Sequence, residues 1–483
     1  MPRPVATDIL HVGEQSQLFV DDHVVAATER LTRRLHAVEK DPANPVLRPE
    51  LPCEGTSIEY TSVLWDEEEQ RFKTWYLCGD NQDARASPGM KSRFEIRSCY
   101  ATSADGVNWD KPDLGLIECG GSQRSNAIDS GRWLQGVVHT GPDREPDARR
   151  RYKMLAWVTG GYQAAFSPDG IHWTDAPGNP VWPITGDVAP TIYDERSRQY
   201  VSFAKVHDEY EGHRRRLVGR GTSPDFMHWS DPQLILAPDE ADEGWTLGRP
   251  GHHTEFYGLC GFPYAGMYLG VLWVFRVTGK VPGGTNYGGI HGQLVHSRDG
   301  VAWERAFSRM PLIPIGPQES FDCGYIHAAG RPLVVGDEVL IYYDGHDGDH
   351  GSYWYKEPWG SDEPRRGGAL GLGRLRLDGF VSLDAGADGG TLTTRPLAVA
   401  GDELVVNTSS RGGLVKVEVM DLDGAAVTGF GSSDCVPITT DSVRHVVRFR
   451  GGRSLGTLRD TPVSLRFHLQ DAELYSFRFR AAR

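Results

Sequence analysis

Long apolar runs are missing from this chain: the longest, around Met267 to Phe275, is far too short to span a bilayer, and the opening Met1-Pro-Arg-Pro-Val-Ala-Thr-Asp8 has no apolar signal core. The expectation is a soluble, cytoplasmic protein without a membrane partner. Cysteine is scarce too. The seven, Cys53, Cys78, Cys99, Cys119, Cys260, Cys323 and Cys435, are odd in number and lack close paired spacing, which excludes a zinc ribbon and a dense disulfide frame and leaves buried free thiols. Positive charge is in deficit, with a net charge of −14 and no basic stripe, so a nucleic-acid partner is excluded. Arg149-Arg-Arg151 and Arg214-Arg-Arg216 read as short solvated turns. Sustained helical periodicity is absent as well.

Turn formers and aromatics are plentiful instead: 58 Gly, 30 Pro and 13 Trp in 483 residues describe many short strands joined by turns, in a chain long enough for two domains. One pattern occurs four times, as Ser103-Ala-Asp-Gly-Val-Asn-Trp109, Ser167-Pro-Asp-Gly-Ile-His-Trp173, Ser223-Pro-Asp-Phe-Met-His-Trp229 and Ser297-Arg-Asp-Gly-Val-Ala-Trp303. Its tryptophans fall at intervals of 64, 56 and 74 residues, a repeat of supersecondary units with variable loops. Ser and Asp bond nearby backbone N–H groups, Gly tolerates positive φ, and Trp packs as a plate between neighbours. Each heptad is therefore a scaffold turn between two strands, and Ser103, Asp105 and Trp109 are not expected to be catalytic.

Before each heptad comes a strand, a polar turn and a second strand, as in Ile58-Glu-Tyr-Thr-Ser-Val-Leu-Trp65, Asp66-Glu-Glu-Glu-Gln-Arg71 and Phe72-Lys-Thr-Trp-Tyr-Leu77. Inner strands near 58–65, 133–139, 187–193, 255–273 and 322–343 give five units, the last without a heptad. The fold class expected is all-β: a five-bladed β-propeller over residues 1–383, then an antiparallel β-sandwich over residues 384–483. Residues 16–38 are expected to complete the last blade and close the ring, with Asp21 and Asp22 as turn formers.

A propeller's inner strands line a central channel, so polar residues at their leading ends are the candidates for chemistry. These are Glu59, Asp187, Glu255, and Glu319 or Asp322; blade two offers only Asn126, Asp129 or Gln135. Glu59, Asp187, Glu255 and Asp322 are assigned as catalytic, because glycoside hydrolysis needs converging carboxylates whose surroundings separate their pKa values. The dense polar segment Arg249-Pro-Gly-His-His-Thr-Glu-Phe-Tyr257 starts the fourth inner strand. Arg249, His252, His253, Glu319, His327, His350, Trp245 and Trp354 are assigned to substrate binding, with Tyr287, Tyr353 and Trp359 as further stacking rings; adjacent histidines alternate faces, so one of His252 and His253 faces the channel. No cofactor is assigned. His346-Asp-Gly-Asp-His350 is metal-capable without a diagnostic spacing.

On the heptad turns, the hairpins and the C-terminal alternation, the chain resembles the five-bladed propeller glycosidases of the invertase/levanase and arabinanase/β-xylosidase groups. That resemblance implies three acids on successive inner strands and cleavage or transfer of furanosyl or pyranosyl units. Glu59 and Asp187 fall on matching blades. The sequence departs from the family in having no Trp-x-Asn-Asp-Pro-Asn-Gly, no Arg-Asp-Pro, and a Glu118-Cys119 pair in an outer-strand position. The resemblance thus implies a divergent member in which Glu255 or Asp322 has taken over part of the work. The leading reading is a glycoside hydrolase or transglycosidase acting on a small carbohydrate, such as a furanoside-containing oligosaccharide. The alternatives are a non-catalytic carbohydrate-binding propeller and a metal- or His-dependent lyase or hydrolase.

Overall fold

A computed structural model describes residues 9–79, 97–119, 121–130, 133–210, 213–280, 285–352, 367–459 and 461–482, and nearly every regular element in it is a strand. Among the described residues the one α-helix is the single turn Glu240–Glu243. No helix there is long and apolar enough to cross a membrane.

The chain opens with β1 (Gln17–Leu18), β2 (Val25–Glu29), β3 (Thr32–Leu35) and β4 (Glu39–Lys40). A first sheet holds β5 (Ser57–Asp66), β6 (Arg71–Gly79), β7 (Arg97–Ser103), β8 (Trp109–Asp110) and β9 (Ala127–Ser130). The second runs β10 (Trp133–His139), β11 (Tyr152–Val158), β12 (Gly161–Ser167), β13 (Thr174–Asp175), and the third β14 (Thr191–Asp194), β15 (Gln199–Tyr210), β16 (His213–Ser223), β17 (Gln233–Leu236). A fourth group, β18 (His253–Tyr264), β19 (Met267–Lys280), β20 (Asn286–Ser297), β21 (Trp303–Arg305) and β22 (Pro311–Ile313), joins a fifth, β23 (Tyr325–Ala328), β24 (Leu333–Val335), β25 (Glu338–His346) and β26 (Gly368–Arg376). One parallel pairing, Ile290 with Tyr325, links them.

Local chemistry accounts for the hairpins. Asp66 ends β5 by accepting from the Glu68 and Glu69 N–H groups, and Asp194 ends β14 by accepting from Arg196 in the same way. The third inner strand starts later than its sequence suggests. Pro190 has no N–H to give a ladder, and the backbone of the segment ahead of β14 is bonded to β15 through the carbonyls of Val188 and Pro190. The apolar stretch 255–273 is a hairpin of two strands, β18 and β19, and 322–343 breaks into shorter pieces.

The heptads are turns. In the first, Ser103 Oγ accepts from the Gly106 N–H at 2.8 Å and Asp105 Oδ1 from Val107 and Asn108 at 2.9 and 2.8 Å. The fourth residue is left-handed in all four copies: Gly106, Gly170 and Gly300 at φ 77°, 80° and 77°, and Phe226 at 70°. Three of the turns are also where an aromatic abuts, since a Cβ would meet Tyr342 at Gly106, Trp75 at Gly170 and Tyr268 at Gly300.

Neighbouring sheets are stitched in sequence. Trp75 of the first donates to Gly170 O of the second at 2.6 Å; Gln135 of the second accepts from the Ala189 N–H beside the third at 2.8 Å; Tyr268 of the fourth donates to Asp194 of the third at 2.8 Å. Tyr342 of the fifth donates to Gly106 O of the first at 2.8 Å, which returns to the start.

Two further sheets follow: β27 (Val381–Ala385), β28 (Gly390–Thr394), β29 (Glu403–Ser409), β30 (Leu414–Met420), β31 (Asp441–Val446), β32 (Ser464–Gln470) and β33 (Ala472–Arg480). One has the order β3-β27-β33-β29-β31 with β1 on β33, the other β2-β28-β32-β30. Their alternating apolar residues meet, Phe467 against Phe477 at 5.4 Å between ring centroids. Here the structure departs from expectation. Residues 16–38 do not complete the fifth group of strands: β1, β2 and β3 pair with β33, β28 and β27, and only β4 reaches β26. Phe19 and Val24, both 0% exposed, explain it, because these side chains fill the C-terminal core.

Candidate active site

A cavity of about 330 Å³ opens among the inner strands, and Glu59, Asp187, His327 and His350 all line it. Trp133 and Trp157 form an aromatic wall on the second sheet, ring centroids 5.7 Å apart, where the sequence offers no acid. Lys205, His207 and Arg216 from β15 and β16 form another wall, with Tyr60, Tyr257 and Tyr325 between. Among the described residues no group of three or more His, Cys, Asp and Glu is arranged to hold a metal.

The bulges in β5 and β18 aim two of these tyrosines. Register shifts occur in β5 between Glu59 and Ser62 and in β18 between Phe256 and Gly258. The first places Tyr60 at φ 50°, left-handed, a conformation costing a bulky residue about 1–3 kcal/mol. From these positions the two hydroxyls meet at 3.2 Å, and Tyr257 also meets His350 Nε2 at 3.2 Å. Directions follow from the far end. The Asn286 carbonyl, 2.9 Å from His350 Nδ1, only accepts, so Nδ1 carries the proton. Burial pushes His350 down to about 3, with Arg216 adding to the effect, so the ring is neutral and Nε2 accepts from Tyr257. Tyr257 in turn accepts from Tyr60, whose oxygen keeps only acceptor capacity toward the cavity.

The two cavity carboxylates sit in different surroundings. Asp187 is ion-paired with Lys205, whose ammonium lies 4.1 Å over the Tyr257 ring. Burial opposes ionisation of Asp187, but Lys205 and, after it, Arg216 outweigh burial and hold the carboxyl below its usual range. Gln135 bonds the Asp187 carbonyl and the Ala189 N–H, fixing the backbone that carries the acid. Glu59 accepts from Ser57 Oγ at 3.1 Å and has the His346 ring 4.0 Å away. Behind them Asp344 is 0% exposed and accepts from the Thr61 N–H at 3.0 Å and from Thr61 Oγ1. Burial pushes it up to about 7.

Other assigned residues lie elsewhere. Glu255 does not line the cavity; it is buried behind it, accepting from Arg216 at 2.5 Å, Asn286 at 2.8 Å and His253 at 3.2 Å. Burial raises its pKa and the His253 and Arg216 bonds more than reverse this, so it is ionised and holds Arg216 at the cavity. Asp322 is bound up with Lys40 at 2.5 Å and Tyr343 at 2.9 Å, away from the lining. Glu319 and Arg249 are exposed, and Trp245 stacks on His252 and donates to Thr254, so none of the four reaches the cavity. Tyr287 is buried outside the lining, and Tyr353, Trp354 and Trp359 lie outside the described residues. Glu118 is exposed and lies between β8 and β9 rather than on a strand.

Sequence reasoning missed Lys205, Arg216, Tyr60, Tyr257, Trp133 and Trp157. The Arg214–Arg216 run is not a solvated turn: it lies on β16, where Arg215 is buried against Glu243 and the Thr254 carbonyl, and Arg216 faces the cavity. Strand alternation was the available signal, because Lys205 and Arg216 stand on one face of the β15–β16 ladder only if its register is known.

No protein-family model matches the chain, and no curated protein matches its sequence. Among solved structures it is similar to a glycosyl hydrolase from Bacteroides ovatus (13% identity, 71% of this chain and 94% of that one, TM-score 0.45). It is likewise similar to a structure from the mannoside phosphorylase family, which contains glycoside hydrolases that target beta-1,2 mannosidic linkages in Candida mannan (14%, 71% and 94%, 0.43). A third is an N-acetylgalactosamine deacetylase from F. plautii in complex with blood group B trisaccharide (15%, 73% and 97%, 0.42).

Proposed function

We propose that this chain cleaves or transfers a glycosidic bond of a small carbohydrate in the cavity between Glu59 and Asp187. The observation that carries the reading is the pairing of two carboxylates in unlike surroundings across one aromatic-walled cavity. Asp187, beside Lys205, stays ionised and serves as nucleophile or as the base that activates water; Glu59, beside a hydroxyl, protonates the leaving oxygen. Trp133 and Trp157 supply faces for a sugar ring, while Lys205 and the Tyr60 oxygen supply a donor and an acceptor for its hydroxyls. The sheet-to-sheet stitching supports a five-bladed propeller around this cavity. We also infer that the last two sheets form a β-sandwich to which residues 17–35 belong, so the second unit is built from both ends of the chain.

The test is hydrolysis of aryl glycosides and furanosyl or pyranosyl oligosaccharides by wild type, Glu59→Gln and Asp187→Asn. Each variant is expected to lose about a thousandfold in kcat while still showing a sugar-dependent thermal shift. Full activity in both variants overturns the site assignment. Sugar binding without turnover by the wild type makes the chain a carbohydrate-binding propeller instead.

A further inference from the structure

The fifth group of strands, which lends Tyr325 and His327 to the cavity, also holds a carboxylate that does not line it. On β25 the side chains of Tyr342, Asp344 and His346 share one face, by strand alternation, and all three are directed at the first sheet. Tyr342 reaches the Gly106 carbonyl, Asp344 the Thr61 N–H and hydroxyl, and His346 lies 4.0 Å from Glu59. Asp344 therefore grips β5 at the residue after Tyr60, inside the register shift that separates Glu59 from Ser62. The bulge has a specific need for such a grip. Its left-handed Tyr60 disfavours the conformation, and the strand pairing with β6 is interrupted there, so the ladder does not hold the Tyr60–Thr61 segment. A buried carboxylate taking both donors of Thr61 supplies what the ladder lacks.

We propose that Asp344 is the positioning residue of this site: through Thr61 it fixes the β5 bulge that aims Glu59 and Tyr60 into the cavity. This rests on the reading of Glu59 as an acid of the site. Asp344 itself does not line the cavity, so its role runs through the backbone of the bulge, where it also takes a bond from the Tyr60 N–H.

The test uses the full chain with Asp344→Asn, Thr61→Val, the double variant and Thr61→Ser. Asparagine keeps the shape but is a poorer acceptor for two donors; valine keeps the shape of threonine and removes one donor. Asp344→Asn is expected to lower kcat about a hundredfold with KM within about threefold, as a misplaced catalytic group does. Thr61→Val is expected to lower kcat at least tenfold, Thr61→Ser to behave as wild type, and the double variant to be no worse than Asp344→Asn. A Thr61→Val enzyme as active as Thr61→Ser overturns the proposal, and this comparison stands even if Asp344→Asn does not fold. A crystal structure of Asp344→Asn gives a readout free of any assay: Tyr60 leaving positive φ supports the proposal, and an unchanged bulge overturns it. If the wild type turns over no carbohydrate, the glycosidic reading fails while the Tyr60 backbone still decides the role of Asp344.

Discussion

At the scale of single residues, Asp187 with Lys205 and Glu255 with Arg216 are charges each kept in place by an opposite one, and Glu255 shows what that implies. It is 1% exposed, Arg216 beside it 15%, and their bond is 2.5 Å. Removing one member of such a pair leaves the other buried and uncompensated, whereas replacing both does not. Glu255→Gln is therefore expected to cost about 3 kcal/mol in urea unfolding, and Glu255→Gln with Arg216→Met to recover at least about 1 kcal/mol of it. A double variant less stable than Glu255→Gln contradicts the pairing. The same example marks how far the site was legible. An acid at the start of an inner strand was readable as a polar exception in an apolar run, which found Glu59, Asp187 and Glu255. Whether it faces the cavity or lies one layer behind depends on strand rotation and on partners from distant segments, as Arg216 is to Glu255. Asp322 stood in the same sequence context and was claimed by Lys40, 282 residues away.

At the scale of elements, the heptad turns show local and tertiary demands meeting at one position. Their Ser and Asp bonds were legible because they are made within four residues. The identity of the fourth residue was legible only in part: positive φ asks for Gly, yet the third copy has Phe226. In the first sheet Phe72-Lys-Thr-Trp75 sends Trp75 against the Gly170 turn; in the second, Tyr152-Lys-Met-Leu155 has a smaller leucine at the corresponding place. Phe226 fills the space from the turn side, packing with Leu155, Phe166 and Tyr200 and 0% exposed. Two terms oppose each other in Phe226→Gly: relief of strain, about 1–2 kcal/mol, and loss of a buried aromatic, about 3–5 kcal/mol. Packing is larger, so the substitution that suits the turn is expected to destabilise by roughly 2 kcal/mol in chemical denaturation. A stabilised variant shows instead that strain dominates there.

At the scale of the whole molecule, a linear reading placed a boundary near residue 383 because composition changes there, and composition is blind to which strands pair. β1, β2 and β3 are short, at two, five and four residues, so nothing local distinguished a last propeller strand from a member of the C-terminal sheets. Their partners decide it: Gln17 opposite Phe477, Glu29 opposite Thr391, and Leu35 opposite Val381. Phe19 packs on Phe477, and the Ala481 N–H donates to Glu14 at 3.1 Å, so the two chain segments run side by side. Residues 381–482 alone would expose the edges that β1–β3 cover and the apolar surface that Leu18, Phe19, Val20 and Val24 fill. That fragment is expected to aggregate or to melt without cooperativity. A permuted chain, residues 381–482 followed by a short Gly/Ser linker and residues 9–35, restores those strands and is expected to unfold in one sharp calorimetric transition. The fragment and the permuted chain together separate two organisations. Equal behaviour, both folded or both not, means the N-terminal strands are dispensable to the C-terminal sheets or insufficient for them; a folded permutant beside an unfolded fragment means that the second unit is assembled from both ends of the chain, with residues 36–380 inserted between its strands.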